Sequence, residues 1–278
     1  MCIRDSMKGI TEIDSVRSVA ADEFYADISW SKFFASDAGM DVLNHLEQFP
    51  TLEKCVENVS GAATVGEAYK IKEIVVDAGS EKCPSNSKKL VNTGTIDRYE
   101  FLWGKKNTRY LKGAYKFPIA KGSDLAAINK KRLSQSKSKK IIIAGMTKVL
   151  ECVLDDGKCL AGKSTVIVYG PKGLPLEYIL GILNSELISL WYQTKYKALT
   201  LAGGYLRIGT KQIRSIPIAT GSKSQVSELI RLVRQRHSNV DEPEKAKTEC
   251  EIDALVYKIY EFSEEALLRV KTELQADL

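Results

Sequence analysis

Short β-branched runs and longer three- and four-residue apolar spacings follow one another along this chain, and they predict strands and helices in turn. Residues 164–169, Ser-Thr-Val-Ile-Val-Tyr, carry the clearest strand pattern. Five segments predict strands in this way: 23–34, 71–76, 139–143, 148–154 and 164–169. Asp155-Asp-Gly-Lys158 is typical of a turn, whereas 79–89 and 121–140 predict loops.

Helical spacing dominates the last third of the chain. Leu176 to Trp191 forms one apolar stripe and predicts a long buried helix, in which Asn184-Ser185 marks a helix end or a packing site. Other segments with helical spacing are 37–48, 52–59, 226–233, 252–259 and a last helix that Ser263 can cap. The expected fold is α/β of the α+β kind: an irregular, mostly antiparallel β core, a long helix packed on it, and a helical C-terminal segment.

We divide the chain into four parts on this pattern. Residues 1–6 fit nothing that follows and are expected to be a non-native leader, without the apolar core of a signal peptide. Residues 7–49 are expected to connect to a preceding part of a longer protein. Residues 50–219 form the predicted recognition domain, and 220–278 form a helical tail.

Composition narrows the class of protein. The chain has 278 residues, 44% of them apolar and 27% charged, which is typical of a globular protein. It lacks a window of 18 clean apolar residues, so we expect no membrane partner. The six cysteines include no Cys-x-x-Cys pair and there are only two histidines, which disfavours zinc and predicts reduced thiols in a cytosol.

Charge is strongly segregated along the chain. Residues 88–214 contain 24 Lys/Arg against 8 Asp/Glu, whereas 1–87 contain 8 against 15 and 215–278 contain 9 against 12. Such a field attracts a polyanion, and nucleic acid is the first candidate because each neutralised phosphate releases counterions. The alternative is a lysine-rich surface that serves solubility alone.

The chain contains one sequence match to a phosphate-binding motif. Gly157-Lys-Cys-Leu-Ala-Gly-Lys-Ser164 fits the P-loop pattern, which would make the chain a nucleotide hydrolase. A P-loop must lead from a strand into a helix whose amides hold the phosphates, whereas strand residues follow Lys163 here. We therefore expect a β-hairpin at 157–169, and we keep the hydrolase as the least favoured alternative.

Other catalytic constellations are missing. Metal-dependent nucleases need a Glu-x-Lys or Asp-x-Lys pair with a further acid, and the one Asp-x-Lys here, Asp156-Gly-Lys158, lies in the predicted turn. The chain contains no Pro-Pro, and adenine methyltransferases need an Asn/Asp-Pro-Pro-aromatic loop to hold the flipped base. We find no catalytic residues, and we expect no cofactor or metal in this chain.

An ordered series of motifs nevertheless resembles a known family. The series comprises residues 61–70, 91–99, 103–112, 140–148, 160–165, 178–185, 201–217 and 252–257. In that order they resemble the C-terminal target recognition region of TaqI-like N6-adenine DNA methyltransferases, which occur alone and in fused type IIG restriction–modification enzymes. The resemblance implies binding of double-stranded DNA. It also implies that S-adenosylmethionine and methyl transfer belong to a catalytic domain absent from this chain.

The resemblance and the charge together give a set of DNA-binding candidates. We assign the cations of the basic region mainly to phosphates, which position the duplex. Arg207 and Lys211 follow the glycines Gly203-Gly204, where the backbone can approach a groove, and they are candidates for pairing with guanine. The full set is Lys105, Lys106, Arg109, Lys112, Lys130, Lys131, Arg132, Lys139, Lys140, Lys148, Lys163, Gly203, Gly204, Arg207 and Lys211.

Two readings of the function stay open at this point. The chain is the DNA-recognition part of an adenine methyltransferase or a restriction–modification enzyme, with its catalytic domain in cis. Alternatively it is a separate specificity subunit that recruits a methyltransferase in trans, with the helical tail as a docking arm.

Overall fold

A computed structural model describes residues 2–8, 12–18, 35, 37–201, 203–239, 241–263, 265, 266, 268 and 272. The strands are β1 Cys2–Lys8, β2 Glu12–Ser18, β3 Val56–Gly61, β4 Val75–Asp77, β5 Lys88–Val91, β6 Ile96–Asp97, β7 Glu100–Phe101, β8 Thr108–Tyr110, β9 Gly113–Tyr115, β10 Pro118–Ala120, β11 Lys139–Ala144, β12 Met146–Thr147, β13 Cys152–Asp156, β14 Cys159–Ala161, β15 Thr165–Pro171, β16 Thr200–Leu201 and β17 Tyr205–Arg207. The helices are α1 Asp37–Leu46, α2 Leu52–Cys55, α3 Val65–Ile74, α4 Lys130–Lys137, α5 Leu176–Asn184, α6 Glu186–Lys195, α7 Thr210–Arg214, α8 Lys223–Ser238 and α9 Glu242–Ile259. Short 3₁₀ turns cover Thr93–Thr95, Asp124–Ala127 and Lys197–Leu199.

Two four-stranded sheets form the centre of the fold. Sheet 1 has the order β13-β11-β15-β3 and is antiparallel throughout, and sheet 2 has the order β14-β5-β10-β4 with β14 parallel to β5. The alternating side chains of strand β11 show why the two sheets stack. Ile141 and Ile143 face the C-terminal helices, whereas Ile142 and Ala144 share a second apolar cluster with Val91 of sheet 2. The expected α+β fold with a mostly antiparallel core and a helical C-terminal segment is confirmed.

The opposite face of sheet 2 is covered by α3 and its neighbours. Leu90 and Leu160 of this sheet pack with Ala68 and Ile71 of α3 in a third apolar cluster. The layers of the fold are therefore the C-terminal helices, then sheet 1, then sheet 2, and finally α3 with α4. Sheet 1 is thus covered on both faces, and its central strand β11 has a continuous apolar run from Ile141 to Ala144.

A buried ion pair fixes the place where the chain crosses from sheet 1 to sheet 2. Lys140 and Asp155 are directly opposite on β11 and β13, and their exposed fractions are 1% and 2%. The Lys140 ammonium bonds to the Asp155 carboxylate and also donates to the Cys159 carbonyl at 3.2 Å. The same carboxylate accepts the Lys158 amide at 2.9 Å. The pair therefore holds the turn between β13 and β14.

The predicted long helix is two helices. Ser185 ends α5 and caps α6, because its hydroxyl accepts the Ile188 amide. Asn184 is fully buried, and its side chain accepts the Cys152 amide at 2.8 Å and donates to the Cys152 carbonyl at 2.9 Å. An amide side chain thus pairs with the edge strand β13, which confirms Asn184-Ser185 as a helix end and a packing site.

The helical tail packs on the β6–β7 hairpin through ion pairs. Arg98 of the hairpin lies 3.3 Å from Glu249 of α9, and Arg236 of α8 bonds to the same carboxylate at 2.5 Å. Lys245 of α9 bonds to Glu100 at 2.8 Å. Several charges of the tail are therefore engaged within the chain. Ser263 accepts the Ala266 amide at 3.2 Å, as a capping residue does, and most of the last predicted helix lies outside the described residues.

Three predicted elements are wrong. Residues 71–74 end helix α3 and do not belong to a strand, because Thr64 and Glu67 form a capping box that starts a helix at Val65. The segment 121–140 contains helix α4, which Asn129 caps by accepting the Arg132 amide. Residues 56–59 are in β3, paired with β15, so the helix at 52 ends after four residues. The strand expected at 23–34 lies outside the described residues.

We expect Lys140→Met to lower the free energy of unfolding by about 3–5 kcal/mol, because it leaves the Asp155 carboxylate buried without its cation. Lys139→Met is the matched control, because Lys139 is half exposed and should change stability by less than about 1 kcal/mol. Urea unfolding of the full chain measures both values. Equal effects of the two substitutions would contradict the structural role of Lys140.

Candidate nucleic-acid interface

The chain leaves both sheets through turns that meet at one end of the molecule. In sheet 1, Ala144 pairs with Thr165, and Val166 pairs with Gly61, so β11 ends where β15 begins and β3 ends. In sheet 2, Ala161 pairs with Val91, and Gly162 donates its amide to the Val91 carbonyl at 2.7 Å. We call this the loop end. Lys139, Lys140 and Asp155 lie at the opposite end of sheet 1.

A network of hydrogen bonds holds these turns together, and we call Asn92, Thr93, Gly145 and Ser164 the polar junction. The Ser164 hydroxyl donates to Asn92 Oδ1 at 2.6 Å, and the Thr93 hydroxyl donates to the Ser164 carbonyl at 2.6 Å. Thr93 Oγ1 accepts the Gly145 amide at 3.0 Å. The junction therefore links the ends of β5 and β11 to the start of β15.

Two further loops are attached to the polar junction. Asn92 Nδ2 donates to the Arg109 carbonyl at 3.1 Å, which holds the β8–β9 hairpin. The Ile208 amide donates to the Gly145 carbonyl at 3.0 Å, which holds the segment between β17 and α7. The backbones that carry Arg109, Lys163 and Arg207 are thus fixed relative to one another.

Six of the predicted cations lie on these linked loops. All six are exposed, and within the described part of the chain none lies within ion-pair distance of a carboxylate. They are Arg109 and Lys112 on the β8–β9 hairpin, Lys163 beside Ser164, Lys148 after β12, Arg207 on β17, and Lys211 in α7. A group of exposed cations without internal partners creates a positive field that attracts polyanions.

The other predicted cations fall into two groups. Lys130 and Lys131 are exposed in the first turn of α4, which begins near Gly61, and Lys106 is exposed near Glu151. Lys105 pairs with Glu100, and Lys139 pairs with Glu177 at 2.9 Å, at the end of sheet 1 away from the polar junction. The structure therefore does not bring Lys139 to the loop end.

Two predicted phosphate contacts are wrong. Lys140 is buried in its pair with Asp155, as described above. Arg132 is 6% exposed, bonds to Glu67 at 2.9 Å and donates to the Gly61 carbonyl at 2.9 Å. Both side chains point into the protein because β11 and α4 each place one face against the core, and a run of lysines and arginines does not reveal which members lie on that face.

The P-loop interpretation fails on geometry. Residues 159–161 form β14 of sheet 2, and Thr165 begins β15 of sheet 1, so a turn joins two strands and no helix follows Lys163. The hairpin expected there is also wrong, because β14 and β15 belong to different sheets. Gly162 is at this crossing because an added Cβ would lie 2.8 Å from Asn92 Oδ1 and 3.0 Å from the Tyr110 ring.

The β16–β17 hairpin at the loop end carries two predicted site residues, Gly203 and Gly204, and lies beside exposed residues that were not predicted. Gly203 and Gly204 have φ of +80° and +78° and lie between β16 and β17. Around this hairpin, Met146, Leu201 and Tyr205 are 48%, 41% and 43% exposed. The alternation of Tyr205, Leu206 and Arg207 after a Gly-Gly pair is a hairpin signal that could have indicated Tyr205. Met146 offers no such signal, because its partner β17 is distant in sequence.

One carboxyl group at this end has a shifted pKa. Burial and the nearby Asp97 carboxylate raise the pKa of Glu151 to about 7, and Lys106 opposes this rise. The Glu151 carbonyl accepts the Ala144 amide, so the residue lies at the loop end. Its partial protonation at neutral pH lowers the negative charge next to the cations.

The described residues contain no group of three or more His, Cys, Asp or Glu side chains arranged to hold a metal ion. Their helices include none with the length and apolar character needed to span a bilayer.

Comparison with known proteins agrees with the motif series. The family model of the TaqI-like C-terminal specificity domain matches residues 89–218, which confirms the resemblance. No curated protein matches the sequence. The solved structures that match include MmeI, a type IIL restriction–modification enzyme determined in complex with DNA, with a TM-score of 0.39, 7% identity, and coverage of 76% of this chain and 33% of that one. They also include BpuSI, a type IIG restriction endonuclease, with a TM-score of 0.42, 12% identity, and coverage of 94% and 38%. The chain thus spans between 33% and 38% of the length of these two proteins.

Gly145→Ala should disrupt the polar junction, because an added Cβ would lie 2.2 Å from the Ser164 carbonyl oxygen. We expect a loss of about 1–3 kcal/mol in the free energy of unfolding. Gly66→Ala, in helix α3 with nothing within 4 Å of the added carbon, is the control and should raise stability by up to about 1 kcal/mol. Thermal unfolding followed by circular dichroism compares them, and a neutral Gly145→Ala would argue against the junction.

Glu151 should make stability depend on pH. Its pKa is raised in the folded state, so the folded chain binds a proton that the unfolded chain releases above its ordinary pKa near 4.5. This contribution is fully present below pH 4.5 and is lost as pH rises through about 7. Glu151→Gln should therefore flatten the decline in stability between these values, measured by urea unfolding at a series of pH values. An unchanged profile would show that Glu151 is not the group responsible.

Proposed function

We propose that this chain is the target-recognition part of a site-specific adenine DNA methyltransferase or a fused restriction–modification enzyme of the type IIG kind. It binds duplex DNA with its loop end and positions it for adenine-N6 methylation by a catalytic domain outside this chain. The supporting observation is the set of six exposed, unpaired cations on loops that the polar junction holds together, most of them inside the segment that matches the specificity-domain family.

The loop-end surface differs from a lysine-rich surface that serves solubility alone in the grouping of its cations on linked segments of the chain. Some cations elsewhere in the described chain are paired with carboxylates, as Lys139, Arg98 and Lys245 are, so a paired arrangement is available to this fold. Cations that are left unpaired on adjacent loops repel one another and lower stability. An external polyanion removes that repulsion and releases its own counterions when it binds.

The cleft between α3 and α4 is not suited to S-adenosylmethionine, because no aromatic side chain lines it to stack on an adenine ring. Its carboxylate, Glu67, already accepts hydrogen bonds from Arg132, Asn129 and the Thr64 amide. We therefore place the cofactor and the methyl transfer in the catalytic domain, and we infer a cytoplasmic location in a prokaryote for the whole enzyme.

The proposal also includes whether the catalytic domain belongs to the same polypeptide, in cis, or to a separate one, in trans. A docking arm would need charges that are available to a partner. Arg98, Arg236 and Lys245 are instead engaged between the tail and the β6–β7 hairpin. This arrangement favours a catalytic domain in cis over a separate specificity subunit that recruits through the tail.

Binding of the full chain to a duplex should weaken steeply with salt. Five phosphate contacts, made by the loop-end cations other than Arg207, predict a slope of log K against log salt of about −4.5. Lys163→Gln should reduce the slope by about 1 and weaken binding to all sequences alike. The control is Lys139→Gln, which removes a paired cation far from the loop end and should leave the slope unchanged. A flat slope for the unmodified chain would refute DNA binding, and equal effects of the two variants would refute the placement at the loop end.

A further inference from the structure

The small sheet at the loop end leaves one of its faces uncovered. It has the strand order β12-β17-β16. Met146 is directly opposite Arg207, and Leu201 is directly opposite Tyr205. Residues that are directly opposite share a face and alternate residues change face, so these four side chains lie on one side and Leu206, 2% exposed, lies on the other. We call the four residues the small-sheet face.

The composition of this face differs from that of the loops around it. Three apolar side chains, between 41% and 48% exposed, surround a single guanidinium. Single exposed apolar residues are ordinary, but adjacent ones on a registered face indicate a contact surface. Arginine, tyrosine and methionine are also the residue types enriched where contact surfaces exclude water.

The charge around the face indicates which partner it meets. Lys148 lies beside it, with Nζ 5.8 Å from the centre of the Tyr205 ring. Arg109 and Lys163 are carried by loops that the polar junction ties to the end of this sheet. Cations at the rim and an apolar centre with one arginine complement a duplex, whose phosphates flank the exposed edges of the bases.

The backbone of the hairpin also suits close approach. Strands β16 and β17 form a short antiparallel hairpin at the edge of this three-stranded sheet, and the major groove is wide enough to admit a β-ribbon. At its tip, an added Cβ on Gly204 would meet no atom within 4 Å, so the tip is open to the outside. Tyr192 supports the ribbon from within by donating its hydroxyl to the Arg207 carbonyl at 3.2 Å.

We propose that the small-sheet face reads base edges in the major groove, with Arg207 recognising a guanine and Met146 and Tyr205 contacting the C5-methyl group of a neighbouring thymine. This inference rests on the proposed function. Arginine donates two hydrogen bonds to guanine N7 and O6, and apolar side chains distinguish thymine by its methyl group. The other exposed cations contact phosphates and carry no sequence information.

The experiment begins with selection of a preferred site from random duplexes by the full 278-residue chain. Each guanine of that site is then replaced by 7-deazaguanine, which lacks N7, and each thymine by uracil, which lacks the methyl group. We expect one 7-deazaguanine position to weaken binding about ten-fold. We expect one adjacent uracil position to weaken it about four-fold.

Variants assign these two effects to residues. Arg207→Gln should abolish the effect of 7-deazaguanine, and Met146→Ala or Tyr205→Ala should abolish the effect of uracil. Tyr69→Ala is the matched control, because Tyr69 is 59% exposed on α3, away from this face, and should leave both effects in place. Because the base analogues change only the DNA, the proposal stays testable if a variant folds poorly.

The outcomes separate this inference from the function on which it rests. If a site is selected and binding is salt-dependent, but neither analogue weakens binding, the chain binds DNA and the major-groove reading is wrong. The same conclusion follows if the three variants weaken binding to all sequences equally. If the chain binds no duplex, the proposed function fails and this inference fails with it.

Discussion

The loop end depends on one constraint, the polar junction that closes the gap between two stacked sheets. The chain passes from sheet 1 to sheet 2 at β14 and returns to sheet 1 at β15. The turns of the two sheets at the loop end must therefore lie within hydrogen-bond distance of each other. Hydrogen bonds join Ser164 to Asn92 and to Thr93, and Thr93 also accepts the Gly145 amide. Gly145 lies so close to Ser164 that it has no room for a side chain. Contact residues on loops are held in precise positions only when a rigid scaffold supports the loops. The polar junction is where these loops are attached to the two sheets.

The same fold uses its cations in two different ways. Lys140 and Arg132 are buried, and each is paired with a carboxylate and bonded to a backbone carbonyl, because an unpaired charge in that environment would be very costly. The cations of the loop end project from turns into solvent, where they need no partner for the chain to fold. Position in the fold, and not residue type, therefore decides whether a lysine or an arginine stabilises the protein or is available to a ligand.

The sequence predicted the fold class and the strongest strands because these depend on local patterns. Residues 139–143 and 165–169 were found since their apolar runs fill strands covered on both sides. Helix α4 was missed because it has almost no apolar residues and depends on contacts such as Arg132 with Glu67. The small-sheet face was missed for a related reason. Met146 and Arg207 are 61 positions apart, and only the pairing of β12 with β17 places them side by side.

Charge segregation along the chain has a structural explanation that reaches beyond attraction of a polyanion. Acidic residues of the flanking segments neutralise particular cations of the basic region, as Glu249 does for Arg98 and Glu67 does for Arg132. These pairs attach the helical tail to the β6–β7 hairpin and α3 to α4. Six exposed cations at the loop end have no carboxylate partner in the described part of the chain. The acidic flanks thus act as internal counterions for part of the basic region, and these loop-end cations are not among the ones they neutralise.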